Sequence, residues 1–325
     1  MAKDKEFKNL IKQYGEGVIQ NASYILEETK QIVSVSPVID IGLHGGIEEG
    51  TWTMLSGAPK CGKTTTALQI AKNGQDLGKR TFYLNVEGRF KKKNLGGIEG
   101  LNPDNVEVIS SNQESILSAE DFLNIATYII KTYPGCILIV DSVSQLCSAK
   151  ELTEDITGQT RSLGPKIMSS FCKHMGGVVP IQNTIIIMIN HLITNTSGYG
   201  PKYMEDGGRK SQYQVDNKLR QKLVSKWENA EKKQIGQIVT WDVVEASLGA
   251  PGATVESCIR YGMGLDERLE LINLGIELAI IEQAKAWFQL PYSETKINGK
   301  PNVYKYFQDN PKDLKKLQQE IKGML

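Results

Sequence analysis

Gly57-Ala58-Pro59-Lys60-Cys61-Gly62-Lys63-Thr64 sets two glycines, a lysine and a hydroxyl in a fixed order. Residue types at this spacing hold phosphate. The glycines let backbone N–H groups turn inward around phosphate oxygens, the lysine reaches the β- and γ-phosphates, and the hydroxyl ligates Mg²⁺. The expected phosphate-binding set is Gly57, Ala58, Pro59, Lys60, Cys61, Gly62, Lys63, Thr64 and the adjoining Thr65. Lys63 is also expected to take part in the chemistry, and Thr64 to bind the metal.

Three further polar groups stand where apolar runs stop. Ile137-Leu138-Ile139-Val140-Asp141 ends in an acid. An Asp at the C-terminal end of a parallel strand lies on the sheet edge where ligands bind, and Asp141 is expected to hold Mg²⁺ with Thr64. Leu84-Asn85-Val86-Glu87 ends another strand. A carboxylate there orients and polarises an attacking water; the plainer reading is a solvated acid at a strand end. Ile187-Met188-Ile189-Asn190-His191 ends a third. His191 on that edge either contacts the γ-phosphate or makes a structural hydrogen bond, and spacing does not decide between them.

The segment Thr194–Arg209 is Gly-rich, without period and long for a connector. Tyr199, Lys202, Tyr203, Arg209 and Lys210 interleave rings with cations, as a surface for single-stranded nucleic acid does. A solvated surface loop has the same composition. The run Arg89-Phe90-Lys91-Lys92-Lys93 reads as a solvated face or a nucleotide contact.

Alternating elements must carry these groups. Expected strands are Thr51–Ser56, Thr81–Val86, Val106–Ile109, Ile137–Asp141, Thr184–Asn190, Ile238–Glu245 and Val255–Tyr261. Expected helices are Thr64–Leu77, Ser118–Thr132 and Pro165–His174, with Leu269–Ala284 and Lys312–Ile321 following. The middle strands are almost continuously apolar, as strands covered on both faces are. The pattern predicts an α/β fold with a mostly parallel central sheet. The last two strands, joined by a Gly/Pro segment, predict an antiparallel hairpin. Residues 1–32 carry Phe7, Leu10, Ile11, Tyr14, Val18 and Ile19 at helical spacing, broken at Gly15 and Gly17.

The 325 residues allow about two domains. The net charge of +1 gives no global field for nucleic acid or membrane, so any polyanion must meet a local patch. Cys61, Cys136, Cys147, Cys172 and Cys258 form no C-x-x-C pair. That favours reduced thiols in a cytoplasm-like compartment over a disulfide framework or zinc site. Met1–Glu6 has no apolar signal region, and the longest apolar run, Ile185–Ile189, is too short to span a membrane.

With these residues in view, the chain resembles the RecA recombinase family and is most similar to its phage branch, the UvsX-like proteins. The resemblance covers roughly residues 33–325. It rests on Ser36-Pro37-Val38-Ile39-Asp40-Ile41-Gly42-Leu43, the phosphate loop, Asn85-Val86-Glu87-Gly88-Arg89, Ile139-Val140-Asp141-Ser142-Val143, Ile189-Asn190-His191 and Gly207-Gly208-Arg209-Lys210. Tyr261-Gly262-Met263-Gly264-Leu265, Glu270–Gly275, Trp287-Phe288 and Phe307–Pro311 continue it. It implies a RecA-like P-loop core over 33–266, an N-terminal helical oligomerisation segment over 1–32 and a small C-terminal α/β subdomain over 267–325.

The resemblance also implies an ATP- and Mg²⁺-dependent filament on single-stranded DNA that pairs with homologous duplex and exchanges strands in recombination and repair. It implies Glu87 as the water-activating carboxylate and His191 as the γ-phosphate sensor. It implies Glu151–Gly164 as a first DNA loop containing Arg161, and Thr194–Arg209 as a second. Partners would be single- and double-stranded DNA, other copies of the chain, and single-strand-binding and loader proteins, with no membrane; the location would be the cytoplasm of a bacterial host. Three positions depart from bacterial members. Glu245 and Ser247 stand where two lysines reach the neighbour's nucleotide, and Asn94 stands where an adenine-facing aromatic is expected.

Two other classes share the phosphate loop: a helicase-type motor and a nucleotide-dependent scaffold without a DNA role. A helicase would usually bring a helical domain before the core, where about 33 residues precede it. Stimulation of ATP hydrolysis by single-stranded DNA separates both from a recombinase.

Overall fold

Side chains alternate across a strand, so a strand buried on both faces must be apolar at odd and even positions alike. Trp52, Met54, Phe82, Leu84, Leu138, Val140, Ile186 and Met188 pack on one face of the central sheet against helices Ala119–Thr132 and Gly164–Met175. Leu55, Tyr83, Ile137, Ile139, Ile187, Leu219 and Trp241 pack on the other, with Ala67, Leu68, Ile70 and Ala71 of helix Lys63–Gln75. Two apolar layers therefore hold the sheet between them, and its strand ends are left for polar groups.

The chain is described here by a computed structural model covering residues 2–15, 17–20, 22–154, 163–195, 203–206, 214–229 and 231–324. The described strands are β1 (Ile32–Val33), β2 (Ile47–Glu48), β3 (Trp52–Gly57), β4 (Thr81–Asn85), β5 (Val106–Ile109), β6 (Ile137–Asp141), β7 (Ile185–Thr194) and β8 (Tyr203–Glu205). They continue with β9 (Asn217–Glu228), β10 (Gln234–Glu245), β11 (Thr254–Arg260), β12 (Gly264–Leu265), β13 (Glu282–Ala284), β14 (Trp287–Gln289) and β15 (Ile297–Asn298). The main sheet runs β12-β11-β10-β9-β3-β7-β6-β4-β5, with β8 beside β7. From β9 to β5 all neighbours are parallel, and β10 to β12 extend the sheet antiparallel. The antiparallel β10–β11 hairpin is the one the Gly/Pro segment predicts.

Several elements differ from expectation, and two of them are instructive. Asn217–Glu228, without a predicted strand, forms the long strand β9. Its first three residues are buried and most of the rest exposed, so it shows neither an apolar run nor a clean alternation. The helix expected over Leu269–Ala284 runs over Glu267–Glu277 and stops, because Ala279 adopts φ 57° and β13 begins at Glu282. The apolar run Leu278–Ile281 continues the composition of the helix but not its backbone.

Residues Met1–Gln31 and Ile32–Leu325 are separate compact units. In the first, Ala2–Tyr14 is helical and Ala22–Leu26 forms a 3₁₀ turn. In the second, helices Glu267–Glu277, Lys300–Asp309 and Pro311–Met324 enclose their own apolar cluster around Ile272, Phe307 and Leu317.

Candidate functional site

The parallel register brings the expected residues to one edge. Gly57 lies beside His191, Asn85 beside Asp141, and Asp141 beside Ile189. Between β3 and helix Lys63–Gln75 the phosphate loop takes two left-handed residues, Lys60 (φ 62°) and Gly62 (φ 101°). Gly62 needs to be glycine twice over. Its backbone is left-handed, and an added Cβ would lie 2.2 Å from Ile259 Cδ1. Lys63 is 5% exposed and its Nζ donates to the carbonyls of Gly57 (2.9 Å) and Ala58 (2.8 Å), which holds the ammonium inside the loop. The helix that follows presents its N-terminal N–H groups to the same cleft.

Thr64 Oγ1 donates to Asp141 Oδ2 at 2.8 Å. The Tyr83 hydroxyl donates to the same oxygen. Burial pushes the Asp141 carboxyl up, and the bonds from Tyr83 and Thr64 offset part of that rise. A hydroxyl and a carboxylate side by side are the hard oxygen donors that Mg²⁺ takes, so the residues present fit that ion.

Glu87 is the most engaged acid of the edge. Its Oε1 accepts from His191 Nε2 at 2.6 Å and from Ser142 Oγ at 2.7 Å, and Ser142 Oγ in turn lies 2.9 Å from Ser144 Oγ. The Glu87 N–H donates to the Asp141 carbonyl at 3.1 Å, which locks the two strand ends together. Burial alone would push the Glu87 carboxyl up. The bonds from His191 and Ser142, with the charges of His191 and Arg89, outweigh it and hold the group below the ordinary glutamate range. Arg89 is 83% exposed at 3.7 Å and is the weak member of this set.

A cleft of about 690 Å³ joins the groups, lined among others by Lys63, Thr64, Glu87, Asp141, His191, Phe90, Tyr261 and Gly262. Asn94 lines it too, but its side chain accepts from the Lys91 N–H at 2.9 Å. Phe90 packs on Tyr83 with ring centroids 4.2 Å apart. Ser142 and Tyr83, which hold the acids Glu87 and Asp141, are groups that sequence reasoning does not single out. Ser142 carries a signal, since it directly follows Asp141; Tyr83 sits inside an apolar strand and reads as core.

Of the expected nucleic-acid contacts, Arg161, Tyr199, Lys202, Arg209 and Lys210 lie outside the described residues. Tyr203 is described, half-exposed on β8, which pairs antiparallel with the end of β7. Glu245 and Ser247 lie near Asn217: Glu245 pairs in register with Lys218, and Ser247 donates through N–H (2.9 Å) and Oγ (3.0 Å) to Asn217 Oδ1. The five cysteines are unpaired. Among the described residues, no helix is long and apolar enough to cross a membrane.

The family described as RecA N-terminal domain matches residues 2–266. Protein RecA of Xanthomonas campestris pv. campestris (strain B100) is 26% identical over 323 residues, spanning 96% of this chain and 90% of that protein. Protein RecA of Campylobacter jejuni subsp. doylei is 28% identical over 315 residues, spanning 95% of this chain and 89% of its own length. Protein RecA of a Nitratiruptor species is 26% identical over 329 residues, spanning 99% of this chain and 92% of its own length.

Proposed function

The chain belongs to the RecA family and acts in DNA recombination and repair through strand exchange, and from that premise we propose how its cleft hydrolyses ATP in response to DNA. The observation that carries the reading is the carboxylate of Glu87, held by His191 and Ser142 beside the phosphate loop. Lys63 and the N-terminal amides of helix Lys63–Gln75 bind the β- and γ-phosphates. Thr64 and Asp141 would hold Mg²⁺, which would supply positive charge against the phosphates. Glu87 orients water in line with the γ-phosphorus and accepts its proton. The new P–O bond forms as the bond to the β–γ bridging oxygen breaks, leaving ADP and phosphate. His191 fixes the Glu87 carboxylate and carries the state of the γ-phosphate into the segment that follows it.

DNA contacts fall to Arg161 in the first loop and to Tyr199, Lys202, Tyr203, Arg209 and Lys210 in the second, with cations on phosphates and rings on bases. Residues 1–32 join protomers into a filament on single-stranded DNA, around a core over 33–266 and a subdomain over 267–325. Histidine at the sensor position supports the phage, UvsX-like branch, acting in the cytoplasm of a bacterial host with single-strand-binding and loader proteins. The test is ATP hydrolysis with and without single-stranded DNA, in the unchanged protein and in Glu87→Gln. DNA should stimulate the first; the second should still bind ATP but turn over about 100-fold more slowly or worse. A rate indifferent to DNA would sink the DNA-responsive reading, and normal turnover in Glu87→Gln would sink the assignment of the base.

A further inference from the structure

Strand β8 is three residues long and is seated by charge instead of by apolar burial. Tyr203 and Met204 are 50% and 41% exposed, while Glu205 is buried. A buried carboxylate needs partners, and Glu205 finds its cationic ones on β9, beyond the intervening β3. Its Oε1 accepts from Arg220 Nε (2.8 Å) and Nη2 (2.5 Å) and lies 3.1 Å from Lys218 Nζ. Ser56 Oγ is 3.5 Å away. Lys218 and Glu205 are each 5% exposed at the side chain, and Arg220 is 33% exposed.

The position of this cluster matters more than its strength. Glu205 pairs in register with Leu192 of β7, next to His191, whereas Lys218 and Arg220 lie on β9. Strand β3 runs between β7 and β9. The carboxylate therefore reaches across the C-terminal end of β3, at Ser56, where the phosphate loop begins. One residue past Arg220, Gln221 Oε1 accepts the N–H of Ala58 in that loop at 3.0 Å. One residue past Glu205, the Asp206 N–H donates to the His191 carbonyl at 3.0 Å, and Asn190 Nδ2 donates to the Asp206 carbonyl at 2.6 Å. Neither Glu205, Lys218 nor Arg220 lines the nucleotide cleft.

We propose that Glu205, Lys218 and Arg220 form a positioning clamp that ties the segment after His191 to the phosphate-loop side of the sheet, so that ATP at the γ-phosphate end and single-stranded DNA on that segment report to each other. The proposal rests on the assignment of this segment to DNA. A buried ion pair is weak evidence for stability, since apolar residues of the same volume pack as well. What the clamp supplies is a fixed crossing from β8 to β9 with a direction. Removing it loosens the coupling between sites without touching either ligand.

The experiment uses the full chain with Glu205→Gln combined with Lys218→Met, which removes one buried charge of each sign and leaves Arg220 able to turn to water. Thermal unfolding, affinity for a non-hydrolysable ATP analogue without DNA, and the ratio of DNA-stimulated to DNA-free hydrolysis are measured together. Analogue affinity should stay within about twofold while the stimulation ratio falls about tenfold, the usual scale of coupling between sites. Arg220→Lys, which keeps the charge but loses the planar fork, should fall between the two. A stimulation ratio within about twofold of the unchanged protein would overturn the clamp. If the double variant unfolds, Glu205→Asp is read the same way, and full retention of stimulation there overturns it equally. If the unchanged protein shows no stimulation at all, the DNA assignment falls and takes the clamp with it; stimulation that survives the variants removes the clamp alone.

Discussion

Glu87 and His191 work as a pair: the Glu87 carboxylate and the His191 imidazole Nε2 are hydrogen-bonded at 2.6 Å. Burial raises the Glu87 pKa, and the His191 and Ser142 bonds lower it further than burial lifts it. The carboxylate thus stays ionised near neutrality, and hydrolysis should fail only on the acid side, as Glu87 takes a proton. His191→Ala deletes a lowering contribution and leaves the burial, so the Glu87 pKa rises. The acid limb of the kcat profile should then move to higher pH, and the variant should bind ATP yet lose the gain in DNA affinity that ATP brings. A limb that stays in place, together with an undiminished ATP effect on DNA binding, would show that His191 does neither job. The acids and the histidine are legible in the sequence because each ends an apolar run, and a parallel sheet sends all such ends to one edge. Ser142 and the Tyr83 hydroxyl are not legible, because their roles depend on which way a side chain turns at that edge.

At the scale of elements, the strands β3, β4, β6 and β7 announce themselves, since burial on both faces makes most of their inner positions apolar. Strand β9 does not, because its outer half is solvated, and the end of helix Glu267–Glu277 is set by the backbone of Ala279 and not by composition. The junction between helix Pro37–Gly42 and the helix that starts at Glu267 carries a second kind of information. Asp40 accepts from the Val35 N–H at 2.7 Å and from the Ser34 hydroxyl, yet burial pushes its carboxyl up to about 7, with Glu267 adding to the rise and Lys322 opposing it. An acid raised in the folded state favours folding while protonated. That advantage is complete below its unfolded value of about 3.9 and fades as pH climbs through the folded one. Asp40→Asn keeps an acceptor for Val35 and an amide facing Ser34, and it has no charge to bury. Its Tm should match the unchanged protein near pH 4 and exceed it at pH 8, the gap opening across the interval. Parallel Tm curves over that range would show that Asp40 does not titrate in the folded protein.

At the scale of the whole molecule, charge sets the problem. A net charge of +1 cannot hold a polyanion, and the six residues proposed to meet DNA include only four cations per chain. On single strands each neutralised phosphate contributes a slope of about 0.7 in log affinity against log salt, so one protomer offers a shallow, weak contact. Repetition along a filament multiplies it. The element placed to drive that repetition is the helix Ala2–Tyr14, where Phe7, Leu10 and Tyr14 follow helical spacing and are exposed. Thirteen residues cannot bury such a stripe alone, and a helix of that length is marginal in water without a surface to pack on. All the nucleotide-cleft residues, by contrast, belong to the unit Ile32–Leu325, whose first strand pairs Ile32 with Glu48. Deleting residues 1–31 should therefore leave a folded protein that binds ATP with unchanged affinity and forms no filaments on single-stranded DNA in electron micrographs. Its DNA affinity should drop to the single-protomer level, with a correspondingly flatter salt dependence. Filaments of unchanged length from the shortened chain would place the assembly contact in the core instead, and the exposed stripe of the first helix would then need another partner.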